Sequence, residues 1–492
     1  MSNTIVVTVG PKPADHPFYG RGSKHCFYLN GAPGLDLELV VGTQYTFDIN
    51  TPGHPFYFTS SESGGFEDKQ VLGNFAPSDK GTVTFLVPDS LPDRFYYQCR
   101  IHFYMGGFAL KKSIKAKHNT FYVNPILKGL VGPTSLSAPK NSSSIYVADQ
   151  IGLVYKYDLN TRQSSIFLDV REYIPKLNDD YEERGLLGLC FHPEFNQNGR
   201  VFIFYSSTSE RQEATAYNTN VNYYNCLSEF TFKDGKILYE AEKVLIRIPR
   251  DLNYHNGGKI DFGPDGYLYI TIGDAGPQRD VNNNAQDLAK LFGKILRIDV
   301  NGIDTYPYYR IPSDNPFVNV QGVRSEIWAY GFRNPWGLEF YQNVLVVTDA
   351  GYESGSGQEE VNVVYKGGNY GWNIKEGRNL TPWTKLTNPQ ILTTLMDPIF
   401  AYTTSDRNFA DSDVSSIIGG YFDKSGDYIC ADYSGKLIRL RFNPQGVTVV
   451  ETASLGKWIR SFGKVGDQLY VLTSEKSGPS GTTGEVIALT VV

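Results

Sequence analysis

Four residues in the first quarter of the chain carry ligand chemistry. Cys99, His102 and Met105 follow one another at intervals of three in YYQCRIHFYMGG, and His54 stands in NTPGHPFYF. One thiolate, two imidazoles and a thioether form a soft, mixed donor set suited to copper. The interval of three lets Cys99, His102 and Met105 converge from one loop after a strand. A histidine from an earlier strand completes the set. The bland alternative is a buried cysteine, a loop methionine and two unrelated histidines, and the C-x2-H-x2-M spacing makes it the weaker one. His16, His25 and His118 fall outside the pattern and read as surface residues.

A second candidate lies in NYHNGGKIDFGPDGYLYITIGDAG, Asn253 to Gly276. His255 precedes Gly257 and Gly258, where no side chain blocks a ligand, so it could be a base at the mouth of a cavity. It could also be a loop histidine that caps a backbone group, and from these residues alone that second reading is favoured. Lys259 to Phe262 and the alternating Tyr267 to Ile272 read as strands around the turn Gly263-Pro264-Asp265-Gly266.

The elements that must position these residues are strands. Residues 1–118 hold short strand-like runs separated by turn residues, as in a β-sandwich, and no convincing amphipathic helix. Lys111 to Asn124 reads as a linker and lead-in strand. From Pro125 onward a weak repeat of tight turn and alternating strand appears. Asp149 to Tyr157 is echoed by Asp432 to Leu440, and Gly293 to Ile298 and Gly484 to Leu489 carry the strand half alone. Recurring hairpins over such a length suggest a β-propeller. Its last strand, Glu485 to Val492, is expected to close the ring near Ile145 to Tyr157.

Composition sets the outer bounds. With 492 residues, 41% hydrophobic and 20% charged, the chain is long enough for two or three domains with large cores. Its 49 glycines and 26 prolines suit a turn-rich all-β chain. A formal charge of −6 argues against nucleic acid as the main partner. No apolar run is long enough for a membrane span, and the start lacks the pattern of a secretory signal. Five scattered cysteines are not a disulfide framework.

GHPFYF and YYQCRIHFYMGG resemble the cupredoxins over nearly the whole N-terminal region. The resemblance implies that His54, Cys99, His102 and Met105 are type 1 copper ligands. The stretch from His255 to Gly276 resembles the glucose/sorbosone dehydrogenase family. So do ERGLLGLCFHPEF (from Glu183), EIWAYGFRNPWGLEF (from Glu326) and TDAGYESGSGQEEVNVVYKGGNYGWN (from Thr348), in the family's order. The fold implied is all-β: a cupredoxin-like sandwich over 1–118, then a six-bladed β-propeller over 119–492. The best-known members of the family oxidise sugars with pyrroloquinoline quinone (PQQ) and calcium. By resemblance His255 is the general base, and Arg333 and Asn334 contact the quinone. Gly351 and Tyr352 offer carbonyls to the catalytic calcium, and Glu360 and Tyr370 fall where some members hold a second calcium. For Glu359 and Glu360 a solvated strand end is an equal alternative. His192, in FHPEF, reads as structural.

The chain departs from that pattern around the quinone. Sugar-oxidising members carry a glutamine where Glu183 stands. Of the lysine and two arginines that hold the quinone carboxylates, only Arg460 is matched; Tyr433 stands at the lysine position and Trp458 at the other arginine, beside Lys457. SFGKVGDQLYVL also resembles members that bind partners and oxidise nothing, such as the hedgehog-interacting proteins. Two functions follow. One is an oxidoreductase acting on a sugar or related alcohol with PQQ and calcium, passing electrons to a fused copper domain. The other is a catalytically inactive binding or structural protein. A homo-oligomer and an extracellular location are compatible with the chain, and assembly on a particle or virion surface is compatible with the second function.

Overall fold

The computed structural model describes residues 4–40, 44–66, 68, 70–73, 75–88, 91–92, 94–112, 121–208, 221–276, 279–352, 357–384, 389–412, 415–443 and 446–492. The chain separates into two units, the first running to Lys115 and taking in Tyr122–Pro125, the second taking in Phe121 and running from Ile126 to Val492. The expected boundary at 118 lies outside the described residues.

The first unit is built from two sheets. One orders its strands Ala32–Pro33, His25–Leu29, Thr4–Pro11, Gln44–Asn50, Lys80–Leu86, and the other Leu37–Val40, Gly107–Lys112, Arg94–Cys99, Phe56–Thr59. Thr4–Pro11 pairs in parallel with Gln44–Asn50, and Leu37–Val40 with Gly107–Lys112. Between the sheets lie Phe27, Phe47, Phe56, Phe58, Phe75 and Phe85, all buried. Their rings meet edge to face, as Phe47 and Phe75 do at 5.3 Å, the arrangement aromatic quadrupoles favour. The expected linker from Lys111 begins inside a strand, since Lys111 belongs to Gly107–Lys112. His16, expected at the surface, is buried. Its Nδ1 accepts the Phe18 N–H at 3.1 Å, and loss of hydration pushes its pKa down to about 4. His25 is exposed, and His118 lies outside the described residues.

The second unit is a six-bladed β-propeller. Each blade is a four-stranded sheet whose first strand lies innermost and touches the first strands of its neighbours. The innermost strands are Pro133–Ser137, Leu186–Phe191, Ile260–Phe262, Pro335–Tyr341, Ile417–Phe422 and Trp458–Val465. Burial falls from the axis outward: Leu186–Phe191 is buried throughout, while Gly446–Ser454, outermost in the fifth blade, is mostly exposed. Glycine lets inner strands approach at the axis. A Cβ on Gly337 would lie 2.5 Å from Gly419 Cα in the next blade. The repeat read in the sequence is the hairpin from the second strand of a blade to its third, Ser144–Asp149 to Leu153–Asp158 and Tyr428–Asp432 to Lys436–Asn443. Ring closure differs from expectation. Gly484–Val491 pairs not with 145–157 but with Phe121–Leu130, which forms the outer strand of the sixth blade. Among the described residues no helix is long and apolar enough to cross a membrane.

Polar groups from several inner strands share the axis. Glu339 accepts the Phe422 N–H at 2.7 Å and lies 3.4 Å from Lys464 Nζ, which itself donates to the Phe422 carbonyl. Burial pushes the Glu339 carboxyl up from 4.5 to about 8, although Lys464 and the Phe422 N–H offset part of the cost. The unfolded chain ionises this group near 4.5, while the folded chain resists ionisation until about 8. Its contribution to stability is therefore fully present below the lower value and is lost as pH rises toward the higher one. Glu339→Gln should remove that decline, on the order of 5 kcal/mol across the whole window, and thermal unfolding midpoints measured across this window check it.

Candidate active site and candidate metal centre

The inner strands enter the sheet through bulges. Pairing slips between Pro133 and Ser135, Pro335 and Gly337, Ile417 and Gly419, and Ile459 and Ser461. The extra residues are Thr134, Trp336, Ile418 and Arg460, and all four line one cavity of about 580 Å³ at this end of the propeller. A bulge re-aims a side chain out of the alternating pleat, so one irregularity, repeated from blade to blade, makes the cavity wall. The second strand of two blades ends in a carboxylate that holds the entry. Asp149 accepts the N–H groups of Val131 and Gly132, and Asp349 those of Arg333 and Asn334, at 2.7–2.9 Å. Burial pushes Asp349 up to about 7, and the two N–H groups and Arg333 offset part of this.

His255, Arg333, Asn334, Glu183, Arg460 and Gly351, singled out in the sequence, all line this cavity. His255 has a left-handed backbone (φ 51°), and Gly257 follows at φ 61°, so the loop folds back toward the axis. Asn334 Oδ1 accepts the Gly257 N–H at 3.0 Å and Glu183 accepts the His255 N–H. His255 Nδ1 lies 2.7 Å from Asp274 Oδ1. Asp274 is fully buried, which raises the cost of its charge. His255, Arg333 and the Gly276 N–H outweigh that cost and hold its pKa below the usual value. The Trp372 indole N–H binds its other oxygen at 2.7 Å. An ionised Asp274 accepts from Nδ1–H and leaves the lone pair of the imidazole on Nε2. The ring is thus held in one orientation by Asp274 through its side chain, and the bland backbone-cap alternative does not describe that contact. Asp274 was not singled out from sequence; its signal was a carboxylate directly after the strand Leu268–Ile272, in GDAG.

Two guanidinium groups are short of acceptors. Arg333 Nη1 donates to the Ala350 carbonyl at 3.2 Å, but its Nε and Nη2 are buried with no partner, as is Nε of Arg460. Arg460 binds the Ser477 carbonyl at 2.8 Å and the side chain of Gln150, both uncharged. Buried N–H donors without acceptors are costly and suit an anionic guest. At the two positions where the sequence offers no cation, the Tyr433 and Trp458 rings pack 5.0 Å apart, and Lys457 is turned to Glu485 at 2.8 Å.

Gly351 and Tyr352, expected to offer carbonyls to calcium, are held through their N–H groups. Gly351 donates its N–H to Glu359, and a Cβ there would lie 2.4 Å from the Gln358 carbonyl, so only glycine fits. The Tyr352 N–H is held by Glu376. Glu359 and Glu360, weighed as a solvated strand end, are both buried. Burial pushes Glu359 up strongly and Glu360 to about 8. Tyr370 stacks on Phe332 at 4.6 Å and donates to the Val363 carbonyl. His192 is buried against Asn301 and Asn198, in line with a structural role.

In the first unit, His54, Cys99 and His102 bring one ligand atom each within 4.8 Å of one another, the only such group of three among the described residues. Cys99 Sγ lies 4.0 Å from His54 Nδ1 and 3.7 Å from His102 Nδ1. The N–H groups of Ile101 and His102 point at the sulfur at 3.4 Å. Burial pushes the Cys99 thiol up, and these two donors offset part of that. Met105 is buried in the same sandwich core.

Comparison with known proteins follows the same lines. The family model for glucose/sorbosone dehydrogenase matches residues 159–482. The HIPL1 protein of Arabidopsis thaliana is 30% identical over 351 residues, 60% of this chain and 50% of that protein. The aldose sugar dehydrogenase YliI of Escherichia coli is 30% identical over 317 residues, 60% of this chain and 75% of that one. This chain spans about half the length of the first curated relatives it matches. Among solved structures, the PQQ-bound form of aldose sugar dehydrogenase from Streptomyces coelicolor covers 77% of this chain and 99% of its own, with a TM-score of 0.56 and 22% identity, a likeness of fold. With two thirds of its length under the family model and its ordered motifs meeting in one axial cavity, the chain belongs to the glucose/sorbosone dehydrogenase family.

Proposed function

We propose that the propeller oxidises a sugar or related alcohol with PQQ and calcium, and that the first unit holds a type 1 copper that accepts the two electrons one at a time. The observation that carries the first part is the His255–Asp274 pair facing the incompletely satisfied guanidinium groups of Arg333 and Arg460 across one cavity. Oxidation at a hydroxyl-bearing carbon removes a hydride from carbon and a proton from oxygen. His255 Nε2 takes the proton, and Asp274 stabilises the imidazolium that results. PQQ, when bound, supplies the acceptor for the hydride. Arg333, Asn334 and Arg460 would hold it, since the unpartnered N–H groups match a planar, anionic guest. The carbonyls of Gly351 and Tyr352 suit a calcium ion, a hard cation that takes oxygen ligands.

A second reading rests on the Tyr433–Trp458 pair. With aromatic rings at two positions where the family resemblance calls for cations, the cavity could serve a binding scaffold that has lost its cofactor. Titration of the full chain with PQQ and calcium, followed by dye reduction with aldoses, separates the two. Tyr433→Lys should tighten PQQ binding by restoring a cation. If neither wild type nor Tyr433→Lys binds PQQ at micromolar concentration, the scaffold reading stands.

For the first unit, the close set of His54, Cys99 and His102 favours copper, because soft thiolate and imidazole together suit it. Addition of Cu(II) should give an intense thiolate-to-copper absorption band that Cys99→Ser abolishes. No band, with no copper retained after dialysis, would refute the assignment.

A further inference from the structure

The cavity is charged on two sides. Opposite in sign to Arg333 and Arg460 stands Glu183, which lines the same cavity and is only partly buried. Its carboxylate accepts two hydrogen bonds, from the His255 N–H and from the Tyr181 hydroxyl at 2.8 Å. Both donors are neutral, and among the described residues no cation pairs with it. Its neighbour Glu182 is different: Arg184 neutralises it through Nε at 2.9 Å and through Nη2. Glu183 therefore presents a carboxylate with no ion-pair partner among the described residues, beside His255. One of its oxygens is bonded to the backbone of His255 itself, so the carboxylate and the imidazole belong to one corner of the cavity. A sugar whose reacting hydroxyl rests on His255 Nε2 would bring the substituents nearest that hydroxyl closest to Glu183.

We propose that Glu183 selects a sugar with an ammonium group next to the reacting carbon, a 2-amino-2-deoxyaldose. This rests on the reading of the cavity as a sugar site and names its substrate class. A neutral hydroxyl at that carbon can donate to the carboxylate. An ammonium donates and also neutralises it, and charge-assisted hydrogen bonds are the stronger kind. Acetylation of the amine removes the charge and keeps the ring, so N-acetylglucosamine is the matched control.

The test measures binding of D-glucosamine, D-glucose and N-acetyl-D-glucosamine to the full chain by calorimetry at neutral pH with calcium, with and without PQQ. Glucosamine should bind about tenfold tighter than the other two, and the margin should shrink as salt is added. Glu183→Gln keeps an acceptor for the His255 N–H and removes the charge, so it should abolish the margin. Equal affinities for the three sugars in the wild type, or a margin that survives in Glu183→Gln, overturn the proposal. The wild-type comparison needs no variant to fold. Dye reduction on the same samples keeps the two readings apart. Glucosamine preference without PQQ binding or turnover refutes the oxidoreductase and leaves this assignment standing, whereas turnover without preference refutes this assignment alone.

Discussion

His255→Ala should lower turnover of the PQQ-loaded chain by about a thousandfold, within the range of 10²–10⁴ for a lost general base, while PQQ binding changes little. The reason is that, in the proposed mechanism, His255 acts on the proton and Arg333 and Arg460 on the quinone. An interaction made only in the transition state appears in kcat, not in affinity for the ground-state guest. Asp274→Asn tests the same pair from behind. An amide can donate to Nδ1, which moves the imidazole proton to Nε2 and blocks the lone pair that the base needs. The loss should approach that of His255→Ala, although Asp274 touches no substrate. Arg333→Ala should differ from both, because PQQ affinity falls along with turnover. Thermal unfolding midpoints close to wild type would show that these losses are chemical. Turnover of His255→Ala within a few-fold of wild type would remove this residue from the mechanism.

The parts of this site that the sequence makes legible are those set by local spacing. Cys99 and His102 are three residues apart on one loop, so their meeting at 3.7 Å depends on a single turn. The propeller hairpins are equally local, which is why their repeat tracks the second and third strands of the blades. What the residues alone do not reveal depends on contacts between segments far apart in the chain. Asp274 meets His255 only after the chain has gone up and down a strand pair, so its role is invisible in a GDAG string. The bulges that turn Thr134, Trp336, Ile418 and Arg460 into the cavity are register slips, and a bulged strand alternates almost like a straight one. Glu360 looks like a charged strand end because its neighbours are polar, yet Gly377 and Asn362 fold over it. His16 likewise lies in a polar stretch whose burial comes from packing on distant segments, with Gly34 close against its ring.

Ring closure is the most distant pairing of all, and its disruption should have the largest effect on stability. Removing the first 118 residues leaves Phe121–Leu130 intact, so the propeller should still unfold in one cooperative transition. Removing 12 more leaves Gly484–Val491 with an open edge. Phe121, Leu127 and Leu130 are buried, and the two leucines pack with Leu136, Ile145, Val147, Tyr470, Leu472 and Val486 in one cluster that joins the first blade to the sixth. At roughly 1.5–3 kcal/mol for each of these three large apolar side chains, that strand contributes about 4.5–9 kcal/mol. A domain's whole stability is typically about 5–15 kcal/mol. Deleting Glu485–Val492 should be worse still. It removes the strand between Phe121–Leu130 and Gln468–Ser474, exposes Leu472 and leaves the outer strand with nothing to pair with. We expect that deletion to aggregate or to lose its cooperative thermal transition, and limited proteolysis to cut first within the sixth blade. A soluble product melting within a few degrees of the wild type would show that the ring does not depend on this closure.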